Sequence, residues 1–161
     1  MGCKVCRKNG GKCVFEDDMI NELVEKAKQA DGFFFGSPIY YAHSSGRLLS
    51  AMDRMFYSCS EAFKFKPAAA VVSARRAGTT AGLEQIMKHF TINCMPVVSS
   101  NYWNMVHGNT PEEVIQDKEG LQIMRVLGQN MAWLLKCIDN GKKSGINIPN
   151  LEEKIHTNFV R

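Results

Sequence analysis

Apolar residues recur at two distinct spacings along the chain, and these divide it into alternating helices and strands. Met19, Ile20, Leu23, Val24 and Ala27 fall at helical intervals behind Asp17-Asp18, which cap and charge a helix start, and Asp31-Gly32 ends the run. Phe33-Phe34-Phe35 reads as a short, fully apolar strand ending at Gly36-Ser37-Pro38. Ser44 or Ser45 opens a second helix with Leu48, Leu49, Met52, Met55 and Phe56 on one stripe, and Pro67 separates it from a strand over 68–73. Thr79 or Thr80 is expected to cap a helix carrying Leu83, Ile86, Met87 and Phe90. A third strand is predicted over 95–99.

The C-terminal part is helical by the same reading. Thr110-Pro111-Glu112-Glu113 combines an N-cap, a proline at the first helical position and early acidic charge. A longer helix over about 118–140 is predicted to bury Leu121, Met124, Leu127, Met131 and Leu134 and to stop at Gly141. Asn150 to Glu153 suits the cap of a short final helix. Short apolar strands, each followed by a helix, imply parallel pairing with both sheet faces covered, so the fold class is α/β. Residues 1–161 read as one domain, with an arm over 1–15 and a tail over 142–161.

Composition narrows the function classes. The 161 residues are 45% hydrophobic and 22% charged, a globular profile, and a net charge of +4 is too small to argue for nucleic acid. No apolar run approaches the roughly 20 residues of a membrane span, and the polar start is unlike a signal peptide, so a cytoplasmic protein without membrane contact is expected. The six cysteines divide into two groups. Cys59, Cys94 and Cys137 sit among apolar neighbours and read as core thiols, whereas Cys3, Cys6 and Cys13 crowd the first turn of the chain.

In open α/β sheets ligands sit beyond the carboxyl ends of the strands, which singles out three loops. Ser37, Pro38, Ile39, Tyr40 and Tyr41, continuing through His43 to Ser45, offer a stiff backbone, two rings and several hydroxyls suited to a flat, polar-edged ligand. They equally suit a turn whose tyrosines cover the sheet end. Ser73, Ala74, Arg75, Arg76 and Gly78 place two arginines and a glycine before a helix N-terminus, where backbone N–H groups favour electron-rich atoms. An ordinary strand-to-helix turn with solvated arginines has the same composition. The third loop, over 100–110, holds Tyr102, Trp103 and three amides, which fit a pocket wall or an oligomer contact. Cys3-x-x-Cys6, with Cys13 following, can gather thiolates around one metal centre, yet zinc and iron–sulfur sites usually take four ligands. His43 or Cys59 are open as a fourth, and free thiols on a loose arm are the alternative.

Taken in order, these pieces resemble a family. Gly2-Cys3-x-x-Cys6-Arg7-Lys8, Cys13 and Asp17-Asp18-Met19, then Ala30-Asp31-Gly32 with Gly36-Ser37-Pro38-Ile39-Tyr40-Tyr41, then Ser45-Gly46-x-Leu48 and Asp53-Arg54, are similar to the NADPH-dependent FMN reductase superfamily and, within it, the iron–sulfur flavoproteins. The resemblance implies a flavodoxin-like three-layer fold with a parallel sheet. It implies FMN at the strand ends, NAD(P)H as co-substrate, and electron transfer to a flavin, quinone or protein acceptor. By position, Ser37 to Tyr41 would lie along the isoalloxazine and ribityl, and Ser73 to Gly78 would face the pyrimidine edge. Hydride transfer belongs to the flavin, so no side chain is required as a catalytic acid or base.

The resemblance also implies an iron–sulfur cluster on Cys3, Cys6 and Cys13, with a further cysteine three residues before Cys3, just outside Met1. The family's first two strands, first helix and phosphate loop lie upstream of this motif, so the chain is expected to be shortened at its N-terminus. Two expectations follow: weak FMN binding unless another subunit or Arg75 and Arg76 replace the phosphate loop, and an open edge at Phe33 to Phe35 that favours a homo-oligomer. The alternatives are a flavodoxin-like remnant that retains no flavin and a cysteine-held metal module.

Overall fold

The computed structural model describes residues 2–157 and Phe159. Its centre is a sheet of order β2-β1-β3-β4, built from β1 (Phe33–Tyr40), β2 (His43–Ser44), β3 (Ala68–Ala74) and β4 (Met105–His107). β1 and β3 pair in parallel from Phe33↔Ala68 to Pro38↔Ser73, β3 and β4 pair in parallel, and the two-residue β2 folds back antiparallel on the end of β1. Helices α1 (Ile20–Gln29), α2 (Gly46–Ser58) and α3 (Thr79–Ile92) cover one face. α4 (Pro111–Gln116) and α5 (Lys118–Lys143) follow β4.

The larger core lies under α1, α2 and α3, where Phe56 stacks on Phe63 at 4.1 Å and Phe35 meets Phe90 at 5.4 Å. On the opposite face Leu127 and Met131 of α5 pack against Ala69 of β3 and Val98. That second layer covers β3 and leaves Phe34 of β1 53% exposed. No helix among the described residues is long and apolar enough to cross a membrane.

β1 runs on through Gly36-Ser37-Pro38, which the sequence marks as a strand end. The Phe33 N–H donates to Pro67 O at 2.9 Å, so Phe33, Phe35 and Ser37 turn their backbone groups to β3. Phe34, Gly36 and Pro38 therefore turn theirs to the other side, which no described residue pairs over 33–38. A proline whose missing N–H falls on an open edge costs the ladder nothing.

The third strand lies elsewhere than predicted. Within 95–99 only Val97 bridges to Ala68, and the regular strand is Met105–His107. Pro96 accepts from the Ala68 N–H, the chain then leaves the sheet over 99–103, and Asn104 restores contact. Its carbonyl accepts from Val72 N–H at 3.0 Å, while its side-chain amide donates to Ala70 O at 3.0 Å in place of a ladder bond. Tyr102 and Trp103 thus precede β4 on the sheet edge, away from the carboxyl ends, with ring centroids 5.0 Å apart.

Several smaller expectations change. The N-cap of α1 is Met19, without a side-chain cap, and Asp18 just before it accepts from Ile20 N–H at 3.0 Å, while Thr110 caps α4 by accepting from Glu113 N–H at 3.3 Å. At α3 the N-cap is Gly78, without a side-chain cap, and Thr79 is already helical. α5 passes through Gly141 to Lys143, and its fully buried apolar positions are Ile123, Leu127 and Met131, with Leu121, Met124 and Leu134 half-buried. Residues 150–153 form no helix. Of the three expected core thiols, Cys94 and Cys137 are exposed and Cys59 is half-buried.

Candidate functional site

Two candidate sites flank α2, one at each end. At its N-terminal end, Tyr41 and Ala42 form the two-residue turn between β1 and β2, with φ of 49° and 62°. Positive φ at both central positions is the geometry of a type I′ hairpin turn, in which glycine and asparagine are the usual residues. Tyrosine and alanine there carry local strain of the kind that accumulates at ligand sites. The turn leaves Tyr41 99% exposed beside an exposed Tyr40.

The hairpin is fixed from below. Buried Ser37 donates through Oγ to Pro38 O at 2.7 Å and accepts from Ser45 N–H at 2.8 Å. Buried Ser44 donates through Oγ to Gly82 O at 3.0 Å, and its N–H reaches Gln85 Oε1 at 2.9 Å. Gly78 and Gly82 of α3 are the seats for this hairpin. A Cβ on Gly78 would lie 2.4 Å from Ala42 Cα, and one on Gly82 2.2 Å from Ile39 Cδ1.

The hairpin therefore presses against the first turn of α3. Among the described residues, no protein acceptor takes the N–H groups of Thr79, Thr80 or Ala81, or those of the preceding residues from Arg75 to Gly78. Arg75 and Arg76 are exposed and form no ion pair there. The first two predicted loops are thus brought together. Of the third, only 107–110 follows a strand end, with Gly108 N–H bonded to Ala74 O at 3.1 Å.

The C-terminal half of α2 faces the cysteine arm. Gly2, Cys3, Cys6, Cys13, Phe15, Arg54 and Tyr57 are among the residues around a cavity of about 300 Å³. Cys6 is buried within the turn Val5–Lys8, Cys3 is exposed and Cys13 is half-buried. The arm bends at Gly10 and Gly11, with φ of 57° and 82°, and Gly11 closes against Ser58 O and Cys59 Sγ. Among the described residues no three of His, Cys, Asp or Glu are drawn close enough to hold a metal ion.

Cys13 is the most firmly held of the three. Asn21 of α1 grips its backbone twice, accepting from Cys13 N–H at 2.8 Å and donating to Cys13 O at 3.0 Å. Arg54 Nη2 donates to Cys13 Sγ at 3.3 Å and to Asp18 Oδ1 at 3.3 Å, while Nη1 donates to Asp18 Oδ2. Burial pushes the Cys13 thiol up, but hydrogen bonds from Arg54 and the Phe15 backbone and the Arg54 charge outweigh it, so the thiol lies below its ordinary range. The same contacts hold Asp18 below the usual carboxylate range, chiefly through Arg54 and then the Ile20 N–H. Neither Asn21 nor the role of Arg54 is legible from spacing, although Arg54 closes the Asp53-Arg54 pair of the motif. An open groove of about 420 Å³ is lined by Gly46, Arg47, Ser50 and Ala51, and Arg54 lines both it and the thiol cavity.

A profile for NADPH-dependent FMN reductase matches residues 3–110. An iron–sulfur flavoprotein of Methanocaldococcus jannaschii is 34% identical over 146 residues, covering 86% of this chain and 75% of that protein. A second iron–sulfur flavoprotein of the same organism is 30% identical over 141 residues, covering 76% of this chain and 68% of its own length. In fold the chain is similar to the Trp repressor binding protein from Bacillus subtilis, with a TM-score of 0.55 and 17% identity over 70% of this chain and 74% of that one.

Proposed function

Since the chain belongs to the NADPH-dependent FMN reductase family, we propose that it moves electrons between NAD(P)H and a flavin, quinone or protein acceptor through FMN held alongside the β1–β2 hairpin and the start of α3. The observation that carries this placement is the row of backbone N–H groups from Arg75 to Ala81, free of protein acceptors among the described residues and opposed by the Tyr41–Ala42 turn. Gly78 is the point where any Cβ would collide with that turn. The hairpin and α3 touch there, so a flat ring with an electron-rich edge would lie along the outside of that contact, against the exposed Tyr40 and Tyr41.

Bound FMN supplies the hydride acceptance and donation; the chain's residues bind and orient it. The N–H groups at the start of α3, helped by the helix dipole, favour negative charge on the pyrimidine edge of the reduced ring. The exposed faces of Tyr40 and Tyr41 provide apolar surface beside it. Ser37 is committed to Pro38 and Ser45, so its role is to hold the hairpin rather than to reach the ligand.

The thiol cavity is lined by sulfur and a cation, but among the described residues its thiols are not drawn close enough to hold a metal ion. Cys3, Cys6 and Cys13 are among its lining residues with Arg54, whose Nε–H is buried without an acceptor among the described residues. The three thiols as placed do not make a cluster site, so no step of the proposed function runs through one. Two titrations test the reading. Added FMN should give a saturable visible difference spectrum, and anaerobic iron and sulfide should leave the wild type without cluster absorbance. A colourless protein indifferent to FMN would leave a flavodoxin-like remnant as the better description.

A further inference from the structure

We propose that the open edge of β1 over 33–38 is filled by the segment 146–151 of a second copy of this chain, added to the sheet as an extra strand. The edge is a slot with a defined end. Phe34, Gly36 and Pro38 turn their backbone groups outward there, and β2 closes the same side of β1 from Ile39 onward. An unpaired row of N–H and C=O groups is a template for an incoming strand.

The tail has the matching pattern. α5 ends in a reversal at Gly145, with φ of 83°, where the Gly145 N–H donates to Lys142 O at 3.1 Å and the Ile146 N–H to Gly141 O at 2.9 Å. Beyond it Ile146, Ile148 and Leu151 are exposed, and from Asn147 to Leu151 no backbone hydrogen bond forms among the described residues. Pro149 decides which residues can face β1. A strand turns alternate N–H groups to each side, so if Asn147, Pro149 and Leu151 faced the slot, Pro149 would have no N–H to give. Ile146, Ile148 and Asn150 therefore face it, whichever way the strand runs. The isoleucines then lie beside Phe33 and Phe35 in a parallel strand, or on the side of Phe34 in an antiparallel one. In either case they cover rings that one chain alone leaves partly exposed.

The chain's own tail does not reach the slot with these residues. α5 starts beside the end of β4, where the His107 N–H donates to Asp117 Oδ2, and runs back until Leu135 Cδ2 lies 3.4 Å from where a Cβ on Gly32 would sit, just before β1. It continues to Lys143, about 12 Å further at the helical rise. Returning that distance in extended chain uses about four residues, Ile146 and Ile148 among them. The tail of a second copy carries no such constraint, and reciprocal exchange about a two-fold axis fills both slots.

The test uses the full chain and two substitutions of the same residue type in the same unpaired stretch. Asn150→Pro removes an N–H that faces β1; Asn147→Pro removes one that faces away. In sedimentation velocity the wild type should dimerise as concentration rises, Asn147→Pro should keep its dimer constant within about threefold, and Asn150→Pro should weaken it about tenfold or more by leaving an acceptor unsatisfied. Hydrogen exchange at the Phe34 and Gly36 amides should slow as the wild-type dimer forms. A monomer at high concentration would overturn the proposal, as would a dimer that both substitutions weaken equally or leave intact. Slow exchange at Phe34 and Gly36 that does not depend on concentration would also overturn it, because the chain's own tail would then be the occupant.

Discussion

Replacing Gly78 by alanine places a methyl group where the hairpin and α3 are in closest contact. Two costs combine. Gly78 has φ of 94°, and a left-handed conformation costs an L-residue about 1–2 kcal/mol. The new Cβ would also lie 2.4 Å from Ala42 Cα, a backbone atom, and overpacking of this kind costs about 1–3 kcal/mol. The total is about 2–5 kcal/mol. Gly82→Ala is the internal control: its Cβ would meet Ile39 Cδ1 at 2.2 Å, the movable end of a side chain, and its φ is ordinary. Helix propensity there favours alanine by up to about 1 kcal/mol, which offsets much of the repacking cost. Urea denaturation of both variants should therefore place Gly78→Ala well below Gly82→Ala, and FMN titration should show the larger loss of affinity in Gly78→Ala because the Tyr41–Ala42 turn is displaced. Equal midpoints, or a Gly78→Ala protein with wild-type stability and flavin affinity, would refute the claim that the hairpin and α3 are locked at this glycine.

Three further outcomes are expected. Asn104→Ala removes the amide that satisfies buried Ala70 O, and chemical denaturation should show a loss of about 1–3 kcal/mol; Asn104→Asp should be worse than Asn104→Ala, since a carboxylate cannot donate. Asp117, the N-cap of α5, is held below its ordinary 3.8 by the Gly120 N–H and then the His107 N–H against opposing burial. Its folded pKa is depressed, so its contribution is present above about pH 4 and is lost as pH falls through the folded value; Asp117→Asn should lower stability at neutral pH and flatten the acid limb of the unfolding midpoint. The open side of β1 at Phe34 and Gly36 is a template for another strand, so we expect self-association in sedimentation that Phe34→Lys weakens; a monomer at high concentration would contradict it.

Periodicity sufficed for α1, α2, α3 and α5, because each buries a continuous stripe against the sheet, and for the start at Thr110-Pro111, because that cap chemistry is local. It failed where tertiary context decides. The apolar run over 95–99 resembles a strand, but Pro96 has no N–H to offer, and the ladder is resumed only by the Asn104 amide, which no pattern of apolar residues marks. Pro38 reads as a strand end, yet it sits on the unpaired side of β1. Cys94 adopts φ of 55° just past α3, and Cys137 lies on the outer face of α5, so apolar neighbours in sequence did not become neighbours in space. Residues 150–153 carry a cap pattern without a helix, as expected for a nucleus that has nothing to pack on.

The candidate site was legible to a similar degree. The loops at Ser37 to Tyr41 and Ser73 to Gly78 are adjacent, and the three N-terminal cysteines share a cavity. What spacing could not convey was the support: the glycines that seat the hairpin, the Asn21 grip on Cys13, and the reach of Arg54 to Asp18 and Cys13 across 36 and 41 positions of sequence. Such contacts link side chains that only the packing of α1, α2 and the arm brings together.

The most direct measurement is an anaerobic titration of the purified protein with FMN followed by addition of NADPH or NADH. Saturable flavin binding, then bleaching of the bound flavin's visible absorbance by the nicotinamide and its return when a quinone or free flavin is added, is the predicted result. No saturable binding, or bound flavin that neither nucleotide reduces, would contradict the assignment of the hairpin and the start of α3 as the working flavin site.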